Sequence, residues 1–247
     1  MTRLSMHESL PIDEAATPSL VSTGELPQTE QVREAVTEAY ERYRLNGDGA
    51  VADYIPALAT ASPGLFAISV VGAKGRSFEI GDVDAEFSIQ SVSKPFVFAL
   101  VCDAIGYEAA RHRLGVNSTG FPFNSLMAVE LNDERTMNPL VNAGAIATTS
   151  LVPGNTVEQK WERIRAGLSS FAGRELSLSR EVYESESATN MRNQGIAHLL
   201  ASYERLYFDP DEATEVYTRQ CSLDVTVHDL AVMAATLANG GVNPTTG

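Results

Sequence analysis

The chain has 247 residues, 18 Lys+Arg against 32 Asp+Glu, and a formal net charge of −14. At roughly 150 residues per domain this allows one large domain or two small ones, long enough to bury a core of its own; 44% hydrophobic and 20% charged residues exclude a disordered chain. The acidity argues against nucleic-acid or anionic-membrane partners, which need a stripe of positive charge.

Residues 1–28, rich in Ser, Thr, Pro and acidic side chains, read as a flexible tail, with the domain proper over 29–247. The tail has no apolar core of the kind a secretory leader carries, and the longest apolar run, Phe96 to Cys102, is far below the roughly 18 residues of a membrane span. Cys102 and Cys221 form no disulfide framework, and no His or Cys spacing suggests a metal. A soluble, reduced, cytoplasmic protein is the expectation.

Val32, Ala35, Val36, Ala39, Tyr40 and Tyr43 recur at helical spacing and predict a first helix. Phe66 to Val71, a turn over Gly72–Gly75, and the alternating Phe78 and Ile80 predict a hairpin, followed by a third short strand, Ala85 to Ile89. From there to Gly241 the chain reads as almost wholly helical. Pro95 suits the first turn of a helix reaching Ile105, with Gly106 as its stop. Thr156 and Gln159 suggest a capping box ahead of an apolar face of Val157, Trp161, Ile164, Leu168 and Phe171, closed by Gly173. Asp209-Pro210-Asp211-Glu212 opens a helix through Tyr217, and Thr226 caps a last one holding Leu230, Met233 and Leu237. On this layout the three strands at 66–89 form one small sheet that no later strand completes.

Ser91-x-x-Lys94 is the strongest chemical signal. At the start of a helix the pair shares a face, with Cβ atoms roughly 5–6 Å apart, and the junction leaves N–H groups free to hold an oxyanion. A serine hydroxyl needs a base, and a lysine serves only where burial or positive charge lowers its pKa. The chain has only three lysines, Lys74, Lys94 and Lys160. The motif by itself fits a capping serine and a solvated lysine better than a catalytic pair. The four histidines lack metal spacing, and no GxSxG elbow supports a Ser/His/Asp triad.

The segments Asp53-Tyr54-Ile55-Pro56, Gln90-Ser91-Val92-Ser93-Lys94-Pro95, Pro122-Phe123-Asn124-Ser125 and Asn138-Pro139-Leu140-Val141-Asn142-Ala143-Gly144-Ala145-Ile146 together resemble the serine-dependent glutaminases. So do Glu186…Arg192-Asn193, Tyr217-Thr218-Arg219-Gln220-Cys221-Ser222 and the run from Leu237 to Pro244. The resemblance extends in order from about residue 30 to the end. It implies the α+β fold of the serine β-lactamases and penicillin-binding proteins: a mixed, largely antiparallel sheet flanked by helices, with a mostly helical subdomain. It further implies hydrolysis of L-glutamine without a cofactor, Ser91 as nucleophile, Lys94 as its base and Tyr54 as a possible proton carrier. Asn142, Glu186, Asn193 and Tyr217 would join Ser91 in the substrate pocket, with Glu186 facing the α-ammonium, and the protein would be a homodimer or homotetramer.

The family pattern continues past Gly247 with a tyrosine and a Lys-Ser-Gly-Val-Gly-Gly-like strand that completes the oxyanion hole. The resemblance therefore implies that these residues are a fragment lacking its C-terminal strands. Two alternatives stay open at this point: another SxxK amide or β-lactam hydrolase, and a non-catalytic homologue that binds glutamine or a protein.

Overall fold

The computed structural model describes residues 27–247. The expected tail therefore lies outside the described residues, apart from Pro27 and Gln28. Gln28 starts the first helix, α1 (Thr29–Tyr43), through a reciprocal capping box with Gln31. The elements that follow are β1 (Ala67–Val71), β2 (Ser77–Gly81), β3 (Phe87–Ser88), α2 (Ser93–Ile105), α3 (Tyr107–Leu114), α4 (Leu126–Glu130) and α5 (Asn142–Leu151). Then come α6 (Val157–Ala172), α7 (Arg180–Ser187), α8 (Met191–Ser202), α9 (Pro210–Cys221), β4 (Asp224–Val225) and α10 (Val227–Ala238).

The hairpin forms as expected, with β1 antiparallel to β2 and Val71 opposite Ser77. Helix α1 lies on it through Tyr40, stacked on Phe66 at 5.4 Å between ring centroids. Helix α10 packs beneath β1. Its start carries a full capping box between Thr226 and Asp229, and Arg174 grips Asp229 with two hydrogen bonds of 2.8 and 2.6 Å. This fixes α10 to the loop after α6.

The third strand departs from the expected layout. β3 leaves the hairpin and pairs antiparallel with β4, Phe87 opposite Val225, to make a second two-stranded sheet. The N–H of Ile89 extends this ladder to the Leu223 carbonyl at 2.8 Å, and Leu178 bridges Leu223 from the other side. A two-residue strand carries no alternation for a sequence reading to detect, so β4 was invisible beforehand. Its consequence is functional, since it anchors the chain immediately ahead of Ser91.

The helical part is built around α5, every residue of which is buried. Its sequence, Asn-Ala-Gly-Ala-Ile-Ala-Thr-Thr-Ser-Leu, is small on all sides, which lets α2, α8 and α9 approach it closely. Gly144 is where the chain comes nearest, against the backbone of Met137 and Asn138. The buried hydroxyls are satisfied within the core: Thr148 donates to the Gly144 carbonyl at 2.7 Å and Ser150 to that of Ala147 at 2.6 Å. At the far end, Lys160 donates to the carbonyls of Ser150 (2.8 Å) and Val152 (2.5 Å), closing the helix on an ammonium.

Helix α6 ends as expected on Gly173 in the left-handed region, φ 74°. Its start is a variant of the expected box. Thr156 caps the N–H of Gln159, but the Gln159 side chain reaches the N–H of Asn155 and not that of Thr156. Helix α9 runs one turn past Tyr217 to Cys221, which brings Gln220 and Cys221 onto the same inner surface. The described part of the molecule is thus a helix-dominated α+β fold with two small antiparallel sheets.

Candidate active site

A single cavity of about 630 Å³ opens beside the start of α2, and Tyr54, Ser91, Lys94, Asn142, Glu186, Asn193 and Tyr217 all line it. All the residues singled out from the sequence are therefore brought together, from five helices and two loops.

Ser91 sits in a 3₁₀ turn, Gln90–Val92, that runs directly into α2. Gln90 has φ 48°, in the left-handed region that side chains with a Cβ rarely occupy. Such a conformation costs on the order of 1–3 kcal/mol and persists only where its surroundings over-determine it. Here the β3–β4 ladder holds the residues before it and α2 those after it. The turn leaves Ser91 exposed at the mouth of α2 while Lys94, one turn on, is 4% exposed.

Among the described residues Lys94 has no carboxylate partner. Its Nζ donates to Asn142 Oδ1 at 2.8 Å and to the Leu140 carbonyl at 3.3 Å, with the Phe123 ring centroid 5.8 Å away. Burial without a counter-charge pushes its pKa down. Asn142 is oriented in turn, its Nδ2 donating to Asn193 Oδ1 at 3.0 Å. The amide is thus spent on one acceptor and one donor contact, and it joins α2, α5 and α8 through a single side chain. The loop that carries Phe123 is pinned to the same place, because the Asn142 N–H donates to the Phe123 carbonyl at 2.8 Å.

Glu186 lies near the end of α7, 6% exposed, with the Gln90 amide as its partner at 3.4 Å. Burial raises its pKa to about 7. Tyr217 is buried on α9; its phenol faces Ser91 and Cys221, and burial drives its pKa well above the ordinary tyrosine range. Tyr54 stands at the rim, 66% exposed, on a loop tied to α7 by the Ala57 N–H donating to Ser185 Oγ at 3.1 Å. Cys221 lines the floor, where burial keeps its thiol protonated. Among the described residues there is no cluster of His, Cys, Asp and Glu suited to a metal.

Two participants escaped the sequence reading. Gln90 bonds Glu186 and forms the left-handed turn, and a glutamine carries no sign that its φ will be positive. The Leu140 carbonyl is a backbone group, and only the tertiary course of the 138–141 loop aims it at Lys94. His228 is half-exposed and hydrogen-bonds Glu79 of the hairpin, away from the cavity.

Known proteins resemble most of the chain. The glutaminase family model matches residues 49–247. Glutaminase 2 of Yersinia pestis is 57% identical over 226 residues, covering 92% of this chain and 66% of its own length. A glutaminase of Brucella abortus (strain S19) is 50% identical over 218 residues, 87% of this chain and 69% of the relative. The chain thus spans about two thirds of the length of these curated relatives. Among solved structures, the probable glutaminase ybaS superposes with a TM-score of 0.86 at 45% identity, over 89% of this chain and 71% of its own. Mglu in its glutamate form superposes at 0.80 and 36%, over 90% and 51%. With a family model that spans most of its residues and relatives at this identity, the chain belongs to the glutaminase family.

Proposed function

We propose that this chain carries the site at which L-glutamine is hydrolysed to L-glutamate and ammonia through an ester on Ser91. The observation that carries the reading is Lys94, buried beside Ser91, held by two neutral acceptors and without a counter-ion among the described residues. A neutral amine has two N–H donors and one lone pair. With both donors committed to Asn142 and Leu140, the lone pair is left for the Ser91 proton.

In this mechanism Lys94 takes that proton as Ser91 Oγ attacks the γ-carboxamide carbon. The tetrahedral oxyanion forms beside the Ser91 N–H at the start of α2. Lys94 returns the proton to the amide nitrogen, the C–N bond breaks and ammonia leaves. Water, losing a proton to Lys94, then attacks the ester; the C–O bond to Ser91 breaks, Oγ recovers the proton, and glutamate is released.

Specificity follows from Glu186, the one carboxylate among the described residues that line the cavity, which pairs with the substrate α-ammonium. Asn193, Tyr54 and Tyr217 offer neutral hydrogen bonds to the rest of the amino-acid head. The family membership and the glutamate form of Mglu support this choice of substrate. Action in the cytoplasm as a homodimer or homotetramer belongs to the same reading; no described helix is long and apolar enough to cross a membrane.

Ammonia release from L-glutamine, measured with the wild-type protein and with Ser91→Ala, tests the proposal. Turnover should vanish in the variant while L-glutamate still binds. No ammonia from the wild-type protein refutes the reading, and comparable kcat/KM on a chromogenic β-lactam or on asparagine transfers it to a different SxxK hydrolase.

A further inference from the structure

Beneath the cavity floor runs a hydrogen-bonded chain that the reaction does not use directly. Thr149 Oγ1 on α5 donates to Gln220 Oε1 at 2.8 Å, and Gln220 Nε2 on α9 donates to Ser93 Oγ at 2.9 Å. Ser93 Oγ on α2 then donates to the carbonyl of Gln90 at 2.8 Å. The three side chains are 0–1% exposed. The direction of the chain is determined by its chemistry. Ser93 has one hydroxyl proton, and once that proton is given to the Gln90 carbonyl, its oxygen can only accept from Gln220.

The chain ends on the one strained peptide in the site. The Gln90 carbonyl belongs to the residue at φ 48°, and the next residue is Ser91. The helices it crosses are those that present Lys94 (α2), Asn142 (α5) and Tyr217 (α9). A cooperative hydrogen-bonded chain in a buried core is rigid, and it opposes rotation of the 90–91 peptide out of the left-handed region.

We propose that Gln220, acting through Ser93, is a positioning residue that holds the Gln90–Ser91 turn in its strained conformation and sets the aim of the Ser91 hydroxyl and N–H. This rests on the reading of Ser91 as nucleophile. It predicts that the pair governs the chemical step and leaves substrate affinity to Glu186 and Asn193.

The test uses Gln220→Leu, which keeps the volume but removes the bonds, together with Ser93→Ala, the double variant, and Ser93→Thr as the conservative rescue. Two readouts are taken: the rate of Ser91 labelling by a fluorophosphonate, located by mass spectrometry, and kcat and KM for L-glutamine. Labelling rate and kcat should fall by about tenfold to a hundredfold in Gln220→Leu and in Ser93→Ala, the loss typical of a misaimed reacting group, with KM within about threefold. The double variant should be no slower than the slower single, because both cut one chain. Ser93→Thr should restore at least about a third of the rate.

Labelling at the wild-type rate in Gln220→Leu and Ser93→Ala overturns the proposal. So does a loss in kcat matched by an equal rise in KM and a lowered Tm, which marks a folding defect, and so does a wild-type Ser91 that does not label. If wild-type Ser91 labels but glutamine is not turned over, the glutaminase reading fails alone, and the labelling comparison still decides the role of Gln220.

Discussion

Replacing Glu186 by glutamine separates what the buried carboxylate costs the fold from what it gives the site. Its pKa is raised by burial from 4.5 to about 7, a difference of about 2.5 units. At 1.36 kcal/mol per unit this is a destabilisation of about 3 kcal/mol once the group is ionised. The sign follows from proton counting. Between pH 4.5 and 7 the folded chain holds a proton that the unfolded chain has released, so stability falls as pH rises through that interval. Below it both states are protonated and the cost disappears. Glu186→Gln keeps the shape and an acceptor for the Gln90 amide but cannot ionise. Urea unfolding should therefore show the variant more stable by up to about 3 kcal/mol at pH 8, with the gain shrinking to near zero by pH 4. The same variant should lose most of its affinity for L-glutamine, since an amide cannot pair with an ammonium as a carboxylate does. In the wild-type protein kcat/KM should fall about tenfold per pH unit below 7 as the carboxylate protonates. A gain in stability that is the same at pH 4 and pH 8, or a variant less stable than wild type at pH 8, refutes the argument.

Lys94→Arg keeps a cation in place but removes the base, because a guanidinium does not deprotonate; ammonia release should drop at least a hundredfold, and retention of more than about a tenth shows that another group takes the Ser91 proton. Gly144→Ala places a methyl 2.6 Å from the Met137 carbonyl and closer still to that of Asn138, both backbone atoms that cannot move aside. It should cost more than about 3 kcal/mol in urea unfolding and displace the Leu140 carbonyl from Lys94, whereas wild-type stability means the 137–140 loop is far more yielding than its packing implies. Lys160→Met removes the ammonium that closes α5 and leaves the Ser150 and Val152 carbonyls unpaired. A loss of about 1–3 kcal/mol is expected with kcat nearly unchanged, and a kcat collapse in a stable variant assigns Lys160 to the chemistry instead.

Much of this molecule was legible from local signals because those signals act locally. Gly106 and Gly173 end helices by being free to take positive φ, and Thr226 and Asp209 cap helices with side chains adjacent to the N–H groups they serve. The hairpin at 67–81 follows from alternation across a tight turn. Ser91 and Lys94 fall on one face because three residues make nearly a turn, and the resemblance of the surrounding segments to the glutaminases drew in Tyr54, Asn142, Glu186, Asn193 and Tyr217, which the structure gathers round one cavity.

What the sequence could not carry is whatever depends on two distant segments meeting. The third strand reads from the sequence as part of the hairpin's sheet, but its partner is a distant two-residue strand, Val225 opposite Phe87, too short to leave a pattern. Lys94 looks like any lysine until α5 and the 138–141 loop close over it, and only that closure removes its water and lowers its pKa. Glu186 is one acid among 32 Asp and Glu residues, and burial alone moves its titration to neutrality. The net charge of −14, which excluded nucleic acid at the outset, has no part in the site. Residue type and spacing determined which groups could do chemistry, while the tertiary fold decided which of them are dry, strained and aimed, because desolvation and strain belong to the packed assembly and not to any one segment of chain.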